Sequence, residues 1–171
     1  DATVATTQAR FMWLLVNLVT AILASIVIGL FDATLEQMVA LAVLMPIVAS
    51  MGGNAGTQTL TVAVRALAMK ELTPTNAARV IGKEALVGVF NGVLFAGLIG
   101  GVAWFWFGNS ALGVVIGMAM IVNMFVAGVA GTTIPLALNK FGIDPAVASS
   151  VFLTTITDVV GFFVFLGLAA L

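Results

Sequence analysis

Long apolar runs separated by short polar segments fill almost the whole chain. A helix needs about 20 apolar residues to cross about 30 Å of hydrocarbon, and the runs reach that length. The predicted spans cover residues 11–31, 35–70, 78–107, 111–138 and 145–170. The pattern therefore predicts an all-α membrane protein with five transmembrane helices.

The second run, residues 35–70, is too long for a simple crossing. It contains Pro46 and three glycines, so we expect the helix to be kinked or tilted, with an extension beyond the membrane from about Thr61.

Two linkers carry helix-capping signals. After Pro74, Thr75 or Asn76 is expected to cap the third span. Asp144 is followed by Pro145, a pair typical of a helix start. Proline suits the first helical position because it lacks a backbone N–H, and an N–H there would have no partner within the helix. The fifth span is thus expected to begin at Pro145.

Composition supports the membrane assignment and narrows the function. The chain is 62% hydrophobic and 8% charged, with a mean hydropathy of +1.24. A net charge of −1 provides no basic patch, so we do not expect a nucleic-acid partner. There is no cysteine and no histidine, which removes thiolate metal sites and the commonest general base. A zinc enzyme is therefore not expected. Since one chain shows no nucleophile-base pair, we do not expect an enzyme, and a carboxylate pair formed in a dimer is the one catalytic candidate.

The positions of the cations predict the orientation. With five spans, all six lie on one side of the membrane: Arg10, Arg65, Lys70, Arg79, Lys83 and Lys140. Positive loops face the cytoplasm, so the amino terminus is predicted inside and the carboxyl terminus outside. The chain begins at Asp1 without an initiator methionine, and we interpret it as a piece of a longer protein.

The fifth span carries a polar stripe. Ser150, Thr154, Asp158 and Gly161 are spaced by four, four and three, with Thr157 beside them. An aspartate near the bilayer centre costs at least about 2.5–3.5 kcal/mol, so it persists mainly where it meets water, a partner or an ion. The alternative is that the hydroxyls bond to their own helix or join neighbouring helices.

A second polar stripe lies on the second span. It consists of Ser50, Asn54, Gln58, Thr61 and Arg65. The preceding Gly52 and Gly53 either expose backbone carbonyls or allow close helix packing. Two polar stripes suggest one shared aqueous path.

Other polar residues in the spans are isolated. Asn17, Asn91 and Asn123 each lie alone, which favours interhelical hydrogen bonds. Glu84, beside Lys83, is expected to be solvated or ion-paired near the interface.

The available ligands are carboxylate, hydroxyl and amide oxygens, which suit Mg²⁺, Ca²⁺ or Mn²⁺ better than copper or zinc. One carboxylate cannot build an octahedral cage at about 2.0–2.1 Å, so a bound Mg²⁺ should keep most of its waters. A twofold pair of Asp158 side chains would supply two charges. That arrangement requires a homodimer with the fifth spans facing its axis.

Two stretches carry a family resemblance. One is MPIVASMGGNAGTQ at residues 45–58, running on through 61–65, and the other is residues 142–149, running on to 154–158. The sequence resembles the membrane domain of the MgtE family of magnesium channels. Some members carry asparagine where this chain has Ser150 and alanine where it has Thr154.

The resemblance implies a homodimer of five-span protomers in which the second and fifth helices line a pore and the aspartate matching Asp158 binds hydrated Mg²⁺. Full-length members also have cytoplasmic regulatory domains, so residues 1–171 are interpreted as a single transmembrane pore domain without them. Expected metal contacts are Ser150, Thr154 and Asp158, and expected pore-lining residues are Gly53, Asn54, Gln58, Thr157 and Gly161.

The leading hypothesis is a Mg²⁺-selective channel domain in the inner or plasma membrane of a bacterium, in contact with the lipid bilayer and with hydrated divalent cations as its cargo. One alternative is a Mg²⁺ transporter coupled to Na⁺ or H⁺. Another is a structural subunit whose Asp158 pairs with a partner helix.

Overall fold

Six helices make up the computed structural model, which describes residues 1–171 apart from the side chain of Val147. They are α1 (Ala2–Gly29), α2 (Asp32–Gln37), α3 (Val39–Ala68), α4 (Ala77–Phe107), α5 (Ser110–Lys140) and α6 (Pro145–Ala170). Within this described part, five helices are long and apolar enough to cross a membrane, and α2 is the exception. The predicted all-α class is confirmed, and so is the number of helices able to span a membrane.

The boundaries differ from the prediction at two places. Helix α1 begins at Ala2, well before residue 11. The run 35–70 is not one helix, because the backbone is extended at Met38, with φ −142° and ψ 91°, which separates α2 from α3. From Val39 onward α3 continues past Pro46 without a break. Its 30 residues span about 45 Å, so it extends beyond the hydrocarbon layer.

The helix caps confirm one linker prediction and correct the other. Asp144 accepts a 3.0 Å hydrogen bond from the backbone N–H of Ala146 and caps α6, as predicted. Asn76 occupies the cap position of α4, but its side chain does not cap that helix. It accepts from the Thr73 N–H and donates to the Glu71 carbonyl, both at 2.8 Å, and so closes the preceding loop.

Helix α5 forms the centre of the bundle. More than half of the residues in its most apolar stretch are buried, and the helix packs against α3, α4 and α6. Its buried Ile116 and Ala119 belong to a core cluster that includes Val48 of α3 and Phe165 of α6. Helix α1 packs mainly on α6 and is largely exposed. Exposed apolar residues on α1 and α4, such as Phe90, match a surface that faces lipid.

Glycines allow α4 and α5 to pack backbone to backbone. A Cβ on Gly88 would collide with the Met124 carbonyl, and one on Gly128 would collide with the Glu84 carbonyl. Such small-residue contacts are the usual way in which membrane helices approach closely. By contrast, α3 and α4 barely touch each other. A cleft therefore separates α3 from α4, with α5 along its floor.

Candidate functional site

The stripe on α6 is open to the surroundings over part of its length. Ser150 and Thr154 are exposed, and Asp158 is partly buried. The Thr154 Oγ1 donates a 2.8 Å hydrogen bond to the Ser150 carbonyl oxygen. This bond occupies the hydroxyl proton and leaves the lone pairs of Oγ1 available to accept. Among the hydrogen bonds of the described residues, none involves the Asp158 carboxylate.

Thr157 and Gly161 are placed differently from the prediction that they line a pore. Thr157 is fully buried, and its Oγ1 donates to the carbonyl oxygens of Leu153 and Thr154, both at 3.1 Å. Gly161 is also buried, and a Cβ there would lie 2.8 Å from Asn123 Nδ2. Both residues face into the protomer, behind the stripe of Ser150, Thr154 and Asp158.

On α3, the polar stripe lies on the side away from the core. Ser50, Asn54 and Gln58 are exposed, and the Asn54 Nδ2 donates a 3.2 Å hydrogen bond to Ser50 Oγ. A Cβ on Gly53 would meet nothing within 4 Å, so this glycine is open on its outer side. Thr57 shares the surface and donates from Oγ1 to the Gly53 carbonyl at 2.8 Å.

Thr57 was missed as a candidate in the sequence, although its spacing gives the signal. It lies four residues after Gly53 and four before Thr61. Its neighbour Thr61 donates to the Thr57 carbonyl in the same way, at 2.8 Å. Thr57 thus adds a hydroxyl to the exposed polar surface of α3, within the length already covered from Ser50 to Arg65.

The depth of the two stripes follows from the contacts between α3 and α6. Gly56 lies against Leu153, and Val48 lies against Gly161, so the two helices are antiparallel. This register places Asp158 level with Met51, and hence within one turn of Ser50 and Asn54. The structure therefore brings both stripes to one depth, while no hydrogen bond among the described residues joins them.

Asn123 links the helices behind the stripes. It is fully buried on α5, and its Nδ2 donates a 3.2 Å hydrogen bond to the Val48 carbonyl oxygen. The interhelical hydrogen bond predicted for this residue is confirmed. Its Oδ1 has no partner among the described residues.

A single protomer does not hold a complete metal cage. No group of three or more acidic or histidine side chains that could bind an ion lies among the described residues. The mid-membrane stripe of α6 provides one carboxylate, from Asp158, and two exposed hydroxyls. Such a set suits water-mediated contact with a hydrated ion rather than direct cage ligation.

Comparison with known proteins identifies the family. A family model described as divalent cation transporter matches residues 45–168, which include both polar stripes. The chain belongs to the MgtE family. The names of the matched family and relatives describe transport rather than catalysis.

Three relatives carry the name magnesium transporter MgtE. The chain is 35% identical to that of Bacillus subtilis over 160 residues, 38% identical to that of Enterococcus faecalis over 162, and 34% identical to that of Thermus thermophilus over 163. These alignments cover 94–95% of this chain and 36% of each relative. The chain thus spans little more than a third of the length of these MgtE proteins.

Proposed function

We propose that this chain is the pore domain of a Mg²⁺-selective channel that passes hydrated divalent cations through a homodimer. The observation that carries the proposal is the α6 stripe. Ser150, Thr154 and Asp158 follow one another along one helix, and none of the hydrogen bonds among the described residues involves the Asp158 carboxylate. An unpartnered carboxylate inside a membrane helix indicates an ion or water path.

The chemistry of the stripe favours a hydrated ion. Mg²⁺ sheds its waters reluctantly, and its bound waters turn their hydrogens outward. A surface that meets such an ion must therefore offer acceptors. The Asp158 carboxylate and the lone pairs of Thr154 Oγ1 are acceptors, because the Thr154 proton is already donated to Ser150.

A twofold dimer would complete the site. Two Asp158 side chains beside a common axis supply two negative charges for one divalent ion. Weak, water-mediated holding of this kind allows the ion to leave as well as to enter. In this arrangement Gly53, Asn54, Gln58 and Thr57 of α3 contribute to the lining, while Thr157 and Gly161 pack behind it.

The proposed setting is a bacterial inner or plasma membrane. The named relatives are bacterial proteins, and all six cations of this chain lie on one side of a five-span topology. The end of α3 and the start of α4 would then face the cytoplasm, and the carboxyl terminus would lie outside.

Single-channel recording in liposomes tests the proposal. Wild type is compared with Asp158→Asn and with Asp32→Asn, a matched change at an exposed carboxylate at the start of α2. We expect wild type to give discrete Mg²⁺ currents. Asp158→Asn should abolish these currents or their ion selectivity, and Asp32→Asn should leave both unchanged. Mg²⁺ flux without discrete currents, dependent on a Na⁺ or pH gradient, would instead identify a coupled transporter.

Cross-linking tests the dimer separately. Because the chain has no cysteine, single thiols can be introduced without background. We expect a short thiol-specific cross-linker to join two Thr154→Cys protomers in the membrane but not two Phe90→Cys protomers, since Phe90 lies on the lipid-exposed side of α4. Monomeric Thr154→Cys protein after treatment would rule out α6 at a twofold axis.

A further inference from the structure

The cleft between α3 and α4 is a second polar feature inside the membrane domain. It encloses about 440 Å³ and has α5 as its floor. Its polar lining consists of Asn54, Gln58 and Thr59 from α3 and Glu84 and Asn91 from α4. No α6 residue lines it, so the cleft does not include Asp158, although Asn54 and Gln58 of the α3 stripe lie on its wall.

Helix register places the cleft carboxylate opposite an amide. Helix α4 runs antiparallel to α5, with Gly88 at Met124 and Glu84 at Gly128. Helix α3 runs parallel to α5, with Gly52 at Asn123.

The contacts of α4 with α5 fix the height of each α4 residue along α5. The contact of Gly52 with Asn123 fixes the height of each α3 residue along the same helix. Together they bring Gln58 to the level of Glu84, within about one helical turn. A carboxylate and an amide therefore face the same space at the same depth.

The Glu84 position is fixed by packing. Its backbone carbonyl rests where any side chain on Gly128 would collide, so α4 cannot shift toward α5 without a clash. The neighbouring Leu86 and Phe90 are exposed apolar residues on the lipid-facing part of α4. Glu84 and Asn91, by contrast, both line the cleft.

We infer that this cleft binds a hydrated divalent cation in each protomer, with Glu84 as the charged ligand and Gln58, Asn54 and Asn91 as amide-oxygen partners. A carboxylate with neutral oxygens is the ligand set of Mg²⁺, Ca²⁺ and Mn²⁺. None of the hydrogen bonds found among the described residues satisfies the Glu84 carboxylate or the Gln58 amide. One carboxylate implies weak binding through retained waters. The inference needs neither Asp158 nor the dimer.

Mn²⁺ binding to the whole chain in lipid nanodiscs tests the inference, with free Mn²⁺ measured by electron paramagnetic resonance. The parent carries Asp158→Asn, so the α6 site does not contribute. We expect one Mn²⁺ per protomer, above the level of protein-free nanodiscs. Adding Glu84→Gln should weaken this binding about tenfold or more, because the only charged ligand is lost.

A charge swap separates ligation from structure. Adding Gln58→Glu to the Glu84→Gln protein moves the carboxylate across the cleft, and we expect Mn²⁺ affinity to return to within about threefold of the parent. Unchanged binding after Glu84→Gln would overturn the inference. Failure of the swap to restore binding, in protein that elutes as the parent does, would also overturn it, because Glu84 would then have a structural role.

A thiol probe covers the case in which Glu84→Gln does not fold. Asn91→Cys introduces the only cysteine, inside the cleft. Mn²⁺ should slow its reaction with a charged methanethiosulfonate at least severalfold, while a cysteine at Thr75, exposed in the loop before α4, should react at the same rate with and without the ion. An Asn91→Cys rate that Mn²⁺ leaves unchanged would contradict a cation in the cleft.

Discussion

The side-chain amide of Asn123 donates a hydrogen bond to the backbone carbonyl oxygen of Val48, with 3.2 Å between Nδ2 and O. The bond joins α5 to α3. Gly161 of α6 packs against the same two residues, with space for no larger side chain. Since Asp158 lies one turn before Gly161, three helices meet directly behind the proposed ion-binding surface.

Asn123→Ala should destabilise the domain by about 1–2 kcal/mol, because an interhelical hydrogen bond in a membrane contributes about 0.6–1.7 kcal/mol and the truncation also leaves a void. The midpoint of SDS-induced unfolding in mixed micelles measures the loss. Asn17→Ala is the control, since Asn17 is exposed on α1 and its removal should cost less than about 0.5 kcal/mol. Equal effects would show that Asn123 does not hold the junction.

Gly52 and Gly53 provide a matched pair of neighbouring glycines. A Cβ on Gly52 would overlap the Asn123 amide, whereas one on Gly53 meets nothing within 4 Å. We expect Gly52→Ala to destabilise by about 1–3 kcal/mol through overpacking. Gly53→Ala should be neutral or stabilising by up to about 1 kcal/mol, because alanine favours a helix interior. Unfolding midpoints of the two variants provide the comparison.

The same pair allows a test of the mechanism. If the cost of Gly52→Ala comes from Asn123, the double variant with Asn123→Ala should be more stable than the sum of the single changes predicts. Additive losses would indicate that the added methyl group strains another part of α3.

The five spans could be predicted because hydrophobic length alone decides whether a helix crosses a bilayer. The Asp144 cap was also predictable, since a carboxylate followed by proline acts locally. The break at Met38, where extended backbone separates α2 from α3, could not be predicted, because methionine is not a residue that interrupts helices. Asn76 was misassigned because its amide finds closer partners in the loop.

The candidate site was predictable as a set of residues but not as a surface. Spacing shows that Ser150, Thr154 and Asp158 share a side of α6, and adjacent positions turn by about 100°. Gly161 falls on that side by its spacing and Thr157 lies beside it, and the apolar residues around α6 do not reveal that these two positions pack inward. The side of α6 that packs inward is set by contacts with Asn123 of α5 and Val48 of α3, and the spacing of residues along α6 carries no information on them.

Gly128→Ala should weaken the α4–α5 interface, because the new methyl group would meet the Glu84 carbonyl, a backbone atom that cannot move aside alone. We expect a loss of about 1–3 kcal/mol in unfolding free energy. Gly97→Ala on α4 is the control, since a Cβ there meets nothing within 4 Å. If both changes leave the unfolding midpoint in place, α4 and α5 are not packed as closely as these contacts require.

Thr154 and Thr157 separate an exposed hydroxyl from a buried one. Replacing either with valine puts a methyl group in place of the hydroxyl, which can both donate and accept a hydrogen bond. Thr154→Val should lower Mg²⁺ flux into liposomes severalfold, because an exposed acceptor for the ion's water shell is lost. Thr157→Val should leave flux close to wild type, since its hydroxyl donates only to carbonyls within its own helix. The reverse order of effects would place Thr157 on the ion path and the surface of Ser150 and Thr154 outside it.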